Sequence, residues 1–182
     1  MSRYKNEPDF ALAARMIAAL AFVPPAYLDN LLAELAVYLP EELMPVLTYF
    51  ENTYIGKLLR LRPDGGIVRK NPLLPVTCWS VYRRTLDNEG RTNNYAEAAH
   101  RRLQTEFSVD HPSLWRLIHG LKKVQRQRDL TYARFVSGNK PPRKRRKYVE
   151  ADKRLFTLAN RFDAMLPIEY LQGIASNFVM EA

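Results

Sequence analysis

The chain has 182 residues, 47% of them apolar, which suits one domain with a buried core and excludes wholesale disorder. Its single cysteine, Cys78, excludes an internal disulfide and any cysteine-based zinc site, and no apolar run reaches the ~20 residues of a membrane-spanning helix. The net charge of +9 is lopsided: residues 1–90 hold 10 Lys/Arg and 10 Asp/Glu, residues 91–182 hold 18 and 9, and such asymmetry points to a polyanionic partner.

Residues 1–8 are polar, carry no apolar signal core and read as a frayed lead-in to a soluble protein. From Asp9 a helix is expected, with Leu12, Met16, Ile17 and Leu20 on its apolar face, ending at Pro24 and Pro25. A second helix should run from Pro25 to about Leu39, with Leu28, Leu31, Leu32, Leu35 and Tyr38 facing inward. A third should start at Pro40, Glu41 and Glu42, proline first and acids in the opening turn, and bury Leu43, Val46, Leu47, Phe50 and Tyr54. These helices form a small bundle.

The stretch from Gly56 to Pro75 is the least regular. Pro63-Asp64-Gly65-Gly66 is a turn signal, and Ile67-Val68 is too short for more than a possible strand. Arg60, Arg62, Arg69 and Lys70 make this loop basic without phosphate-loop spacing. Pro75 then opens a helix with Val76, Trp79, Val81 and Tyr82, ending around Asp87 to Gly90; Trp79 reads as a core anchor.

After Gly90 the pattern turns helical again, with Ala96, Ala99, Leu103 and Phe107 on one stripe. At ~100° per residue, Asn93, Asn94, Glu97, His100, Arg101 and Gln104 gather on another face. That face is either solvated, with Thr92 or Asn93 as cap and a Glu97–Arg101 pair of ~0.3–0.5 kcal/mol, or a metal-binding or acid/base site centred on Glu97. Asp110 or His111 should cap the next helix with Pro112 at its first position, and Leu114, Trp115, Leu117, Ile118, Leu121 and Val124 form its apolar stripe to about Phe135. Arg116, Lys122, Lys123, Arg126 and Arg128 surround the other side, suited either to solvent or to nucleic acid. His111 and His119 read as packing or capping residues.

Six of the eight residues from Lys140 to Lys147 are basic: Lys140, Arg143, Lys144, Arg145, Arg146 and Lys147. Such a run repels itself and is expected to stay disordered until an anion meets it, as an import signal or as a DNA-backbone contact. Tyr148 resumes the helix, with Leu155, Leu158, Phe162 and Met165 apolar, and after Leu166-Pro167 a short helix carries Ile168, Leu171 and Ile174. The expected fold is all-α: a helical bundle over residues 1–136, a basic linker over 137–147 and a C-terminal helical pair over 148–182.

Several separated motifs also carry a resemblance. Thr92-Asn93-Asn94-x-x-Glu97-x-x-His100 is similar to the last catalytic segment of Mutator-like (MULE) transposases. Ala19-Leu20-Ala21-Phe22-Val23-Pro24-Pro25, Phe50-Glu51-Asn52-Thr53-Tyr54-Ile55-Gly56, Trp79-Ser80-Val81-Tyr82 and His111-Pro112-Ser113-Leu114-Trp115 follow that family in the same order, so the resemblance covers roughly residues 3–130. It implies that Glu97 matches the third acid of an Asp, Asp, Glu metal triad. In that family the two aspartates lie well upstream of the region matched here, and the family's zinc-finger-like DNA-binding segment has no counterpart among these residues. The chain is therefore expected to be the C-terminal part of such a transposase, with no cofactor alone and Mg²⁺ only if another polypeptide supplies the aspartates.

The resulting expectation is a nuclear, transposase-derived DNA-binding fragment, not active alone. Its phosphate contacts would come from the Lys140–Lys147 cluster, helped by Arg101, Arg102, Lys122, Lys123 and Arg126. The alternative is a helical interaction module that pairs with a full-length transposase or with itself. No membrane partner is expected.

Overall fold

A computed structural model describes the chain except for residues 1, 62, 64, 65, 92, 93, 110, 141, 142, 144 and 178–182; the side chains of residues 2 and 94–96 also lie outside the description. The fold is all-α, 73% helical with 4% strand. Helices α1 (Ser2–Asn6), α2 (Pro8–Ala19), α3 (Leu28–Tyr38) and α4 (Met44–Phe50) come first, with three-residue 3₁₀ turns at Leu20–Phe22, Pro25–Tyr27 and Glu41–Leu43. A π-helical turn at Glu51–Gly56 leads to strands β1 (Leu58–Leu61) and β2 (Ile67–Arg69). Then follow α5 (Val76–Trp79), α6 (Tyr82–Leu86), α7 (Asn94–Phe107), α8 (Leu114–Val136), α9 (Arg146–Asn160) and α10 (Pro167–Ala175).

Two compact units divide these elements. The first is discontinuous, Met1–Gly90 with Arg146–Ala182, and the second is Arg91–Arg145. The sequence-based boundaries at 136/137 and 147/148 differ from these, because α10 packs on α2 and α3 and α9 on α6. The core of the first unit is built from both ends of the chain: Met16, Leu20, Val23 and Leu35 are buried together with Tyr170, Leu171 and Ile174. The Tyr170 hydroxyl donates to the Phe22 carbonyl at 2.5 Å, 148 residues away in sequence. A nine-residue helix cannot hold itself in water, so α10 gains its stability from the core it enters.

Elsewhere the first unit refines the sequence expectations. Residues 2–6 are helical and not a frayed lead-in, tied down by Arg3, which pairs with Glu7 at 2.9 Å and with Glu42 and lies over the Phe10 ring. Leu28, Leu31, Leu32 and Leu35 are buried as expected, whereas Tyr38 and Val46 are exposed. The helix opened by Pro75 breaks at Ser80 and Val81, since the Val81 N–H leaves the helical ladder for the Ala21 carbonyl at 2.8 Å. Trp79 is the anchor expected of it: its ring packs on Phe50 and Tyr54, and its Nε1 donates to the Tyr54 carbonyl at 3.0 Å.

The loop after Gly56 contains an antiparallel hairpin, with Leu58 opposite Arg69, Arg60 opposite Val68 and Leu61 opposite Ile67. Gly56 makes the entry possible. Its φ is +111°, and a Cβ there would lie 2.0 Å from the Lys70 carbonyl oxygen. Arg69, 14% exposed, is committed to structure: it bonds Asp29 and Glu51 at 2.7 Å each and the Gly56 carbonyl at 2.6 Å.

In the second unit α7 packs on α8. Gly120 lets the two come close, since a Cβ there would stand 2.5 Å from the Phe107 ring. Ser113 caps α8, its Oγ accepting from the Arg116 N–H at 3.4 Å, in place of His111 and with Pro112 ahead of the helix. The other cap candidate, Asp110, lies outside the described residues. Lys123 pairs with Glu106 across the two helices at 2.7 Å.

Candidate nucleic-acid interface

Charge separates the two units more sharply than it separates the halves of the sequence. Residues 91–145 hold thirteen Lys/Arg and four Asp/Glu, a net +9 that equals that of the whole chain. The first unit, with fifteen of each, is neutral. A neutral unit with a buried core and a small, strongly cationic unit are thus physically distinct parts.

Arg101 and Arg102 are exposed on α7, and Lys122, Lys123 and Arg126 are exposed on α8. At ~100° per residue, the three α8 cations fall within about a 100° arc; Lys122, at one edge of that arc, also lines the α7–α8 groove with Leu121 and Val124. Lys123 shares its charge with Glu106. In the basic run, Lys140, Arg143, Arg145, Arg146 and Lys147 are exposed, and Lys144 lies outside the described residues. Arg146 and Lys147 belong to the first turn of α9, so this part of the run is helical and not disordered. That turn contains no acid, and cations there oppose the helix dipole; Arg146 is offset by Glu150 at 2.6 Å, four residues on.

Glu97 is exposed in the first turn of α7. Thr92 and Asn93 lie outside the described residues, as does the Asn94 side chain. Among the described residues no three His, Cys, Asp or Glu side chains gather to hold a metal ion. Hard divalent cations want several oxygen ligands, so Glu97 by itself does not fit a Mg²⁺ site. His100, His111 and His119 are not buried.

Two features escaped the sequence expectations. Trp115, assigned there to the apolar stripe, is 79% exposed. It stands roughly 150° around the axis from Leu117, Leu121 and Val124, on the arc of Lys122 and Arg126, which helical geometry alone could have signalled. The stripe itself outruns its cover. Ala99 and Leu103 of α7 line a groove of about 520 Å³ with Leu121, Lys122, Val124, Gln125 and Arg128, and beyond it Tyr132 and Val136 are 71% and 70% exposed. No family model, curated protein or solved structure matches the chain, which leaves the chemistry of these residues to carry its function.

Proposed function

We propose that this protein is a nuclear, transposase-derived DNA-binding protein that holds the phosphate backbone. Lys140, Arg143, Lys144 and Arg145, which belong to residues 91–145, and Arg146 and Lys147 at the start of α9 are the main contacts, helped by Arg101, Arg102, Lys122, Lys123 and Arg126. The observation that carries the reading is the confinement of the whole +9 excess to residues 91–145. Cations concentrated this way are self-repelling in isolation and gain free energy when phosphates displace their counterions. The resemblance to Mutator-like transposases adds the family context. Glu97 would serve as a metal ligand for strand cleavage only with two aspartates from another polypeptide, so the chain alone is not expected to cut DNA.

The test is fluorescence anisotropy with labelled duplex DNA across a salt series. The comparison is a variant in which the six basic residues from Lys140 to Lys147 are changed to Gln, which spares the backbone of α9. Removing a cation that neutralises one phosphate should flatten the slope of log K against log salt by about 0.9. Absence of binding at low salt refutes the proposal, and an unchanged slope refutes the role of the cluster.

One observation favours a second reading, a helical module that pairs with a full-length transposase or with another copy. This is the uncovered apolar stripe of α8. Assembly of that kind would persist at high salt, which screens ion pairs but not apolar contact. No described helix is long and apolar enough to cross a membrane.

A further inference from the structure

We propose that Trp115 is a stacking platform for an unpaired base, so that the α7–α8 unit binds single-stranded DNA in preference to duplex. The inference rests on the DNA-binding reading and deepens it by naming the substrate class.

Tryptophan is the residue with most to gain from burial, and the chain's other one, Trp79, is packed and hydrogen-bonded. Trp115 is instead left 79% exposed on a regular helix whose first apolar turns are partly covered by α7. Its neighbours along the same arc are His119 at i+4, Lys122 at i+7 and Arg126 at i+11, the two cations standing about 10 and 16 Å along the axis. An exposed indole followed by cations at successive turns is the combination that holds single strands: the charges follow the backbone while the ring takes a base face. Duplex DNA offers the cations phosphates but keeps its base faces stacked inside, so the indole adds little there. The unit's net +9 supplies the long-range attraction to either form.

The stacking contribution should make the affinity for a single strand depend on the ring by about tenfold to a hundredfold. Trp115 also reports on itself, since a stacked base quenches indole emission. The experiment uses the full chain, an oligothymidylate of about 12 residues and a duplex of the same length, at low salt. Emission of the wild-type chain should fall on adding oligothymidylate, and a Trp115→Phe form should lose that quenching while keeping part of the affinity. Trp115→Ala should weaken oligothymidylate binding at least about tenfold and leave duplex binding within about twofold, as an exposed position permits. Equal losses on both DNAs, equal quenching by both, or no effect of Trp115→Ala on the single strand would overturn the inference and leave phosphate binding standing. Binding to neither DNA would overturn the DNA-binding reading itself, and this inference with it.

Discussion

Truncating Leu171 to alanine tests whether the last helix is a structural member of the first unit. Leu171 has no exposed surface and sits with Tyr170 and Ile174 among the most buried side chains, against α2 and α3. The substitution removes about three methylene equivalents, worth about 2.4 kcal/mol of transfer free energy at ~0.8 each. The cavity left behind raises the expected loss to about 3–4 kcal/mol. Stability of this order can be read separately in the two units, because Trp79 lies in one and Trp115 in the other. In a Trp115→Phe background, urea unfolding followed by Trp79 emission should shift its midpoint down by roughly 1.5–2 M, taking a slope of about 2 kcal/mol per M. Circular dichroism at the helical band should show the same downward shift in the part of the signal that belongs to the first unit, while the part from α7 and α8 keeps its midpoint. A loss below about 1 kcal/mol would refute the reasoning. So would an early partial loss of helix with the Trp79 transition unmoved, because α9 and α10 would then be a satellite and not a wall of the core.

Burial raises the Tyr170 phenol well above its ordinary value, and burial also raises Tyr82. The unfolded chain ionises these groups near pH ~10 while the folded chain keeps them protonated, so their contribution is complete below that pH and is lost as pH rises through the folded values. Above pH ~10 stability should fall, by up to about 1.4 kcal/mol per pH unit from Tyr170 and by much less from Tyr82, which water largely screens, and urea midpoints should fall with it. Tyr170→Phe should cost about 1 kcal/mol at neutral pH through loss of the bond to Phe22, yet flatten the alkaline decline; equal slopes in both proteins would contradict this. Gly56→Ala should destabilise the first unit by about 2–4 kcal/mol, since it combines a positive φ with backbone overlap at the Lys70 oxygen. A thermal midpoint unchanged from wild type would show that the turn can relax.

Division of charge gives the two units different vulnerabilities. The neutral first unit depends on apolar packing and on a few committed ion pairs such as Arg69 with Asp29 and Glu51, so its stability should respond little to salt. Residues 91–145 carry the full excess, and the α7–α8 pair within them has its closest approach at Phe107 and Gly120. Added salt or a bound polyanion should stabilise this pair by relieving self-repulsion.

Local chemistry made much of this chain legible. Helix identity followed from apolar residues three and four apart, as at Leu28, Leu31, Leu32 and Leu35, and helix starts followed from prolines such as Pro25 and Pro167. The Trp79 anchor and the basic run were equally plain, because composition and spacing alone reveal them. What periodicity does not contain is the identity of the partner that each apolar face meets. The stripe of α10 looks the same whether it closes a remote core or caps a tail, and only the meeting of Tyr170 with Phe22 decides it. The apolar pattern of α8 likewise does not say how far α7 covers it, so Leu114, Trp115 and Leu121 read as one stripe but stand exposed. The hairpin at Leu58–Arg69 depends on cross-strand pairing and on the Gly56 turn. Helix formation is local within a turn or two, so sequence by itself determined the elements and the charge they carry. Burial is a property of pairs of faces distant along the chain, and that is why only the tertiary structure decided which faces became core and which remained free to bind.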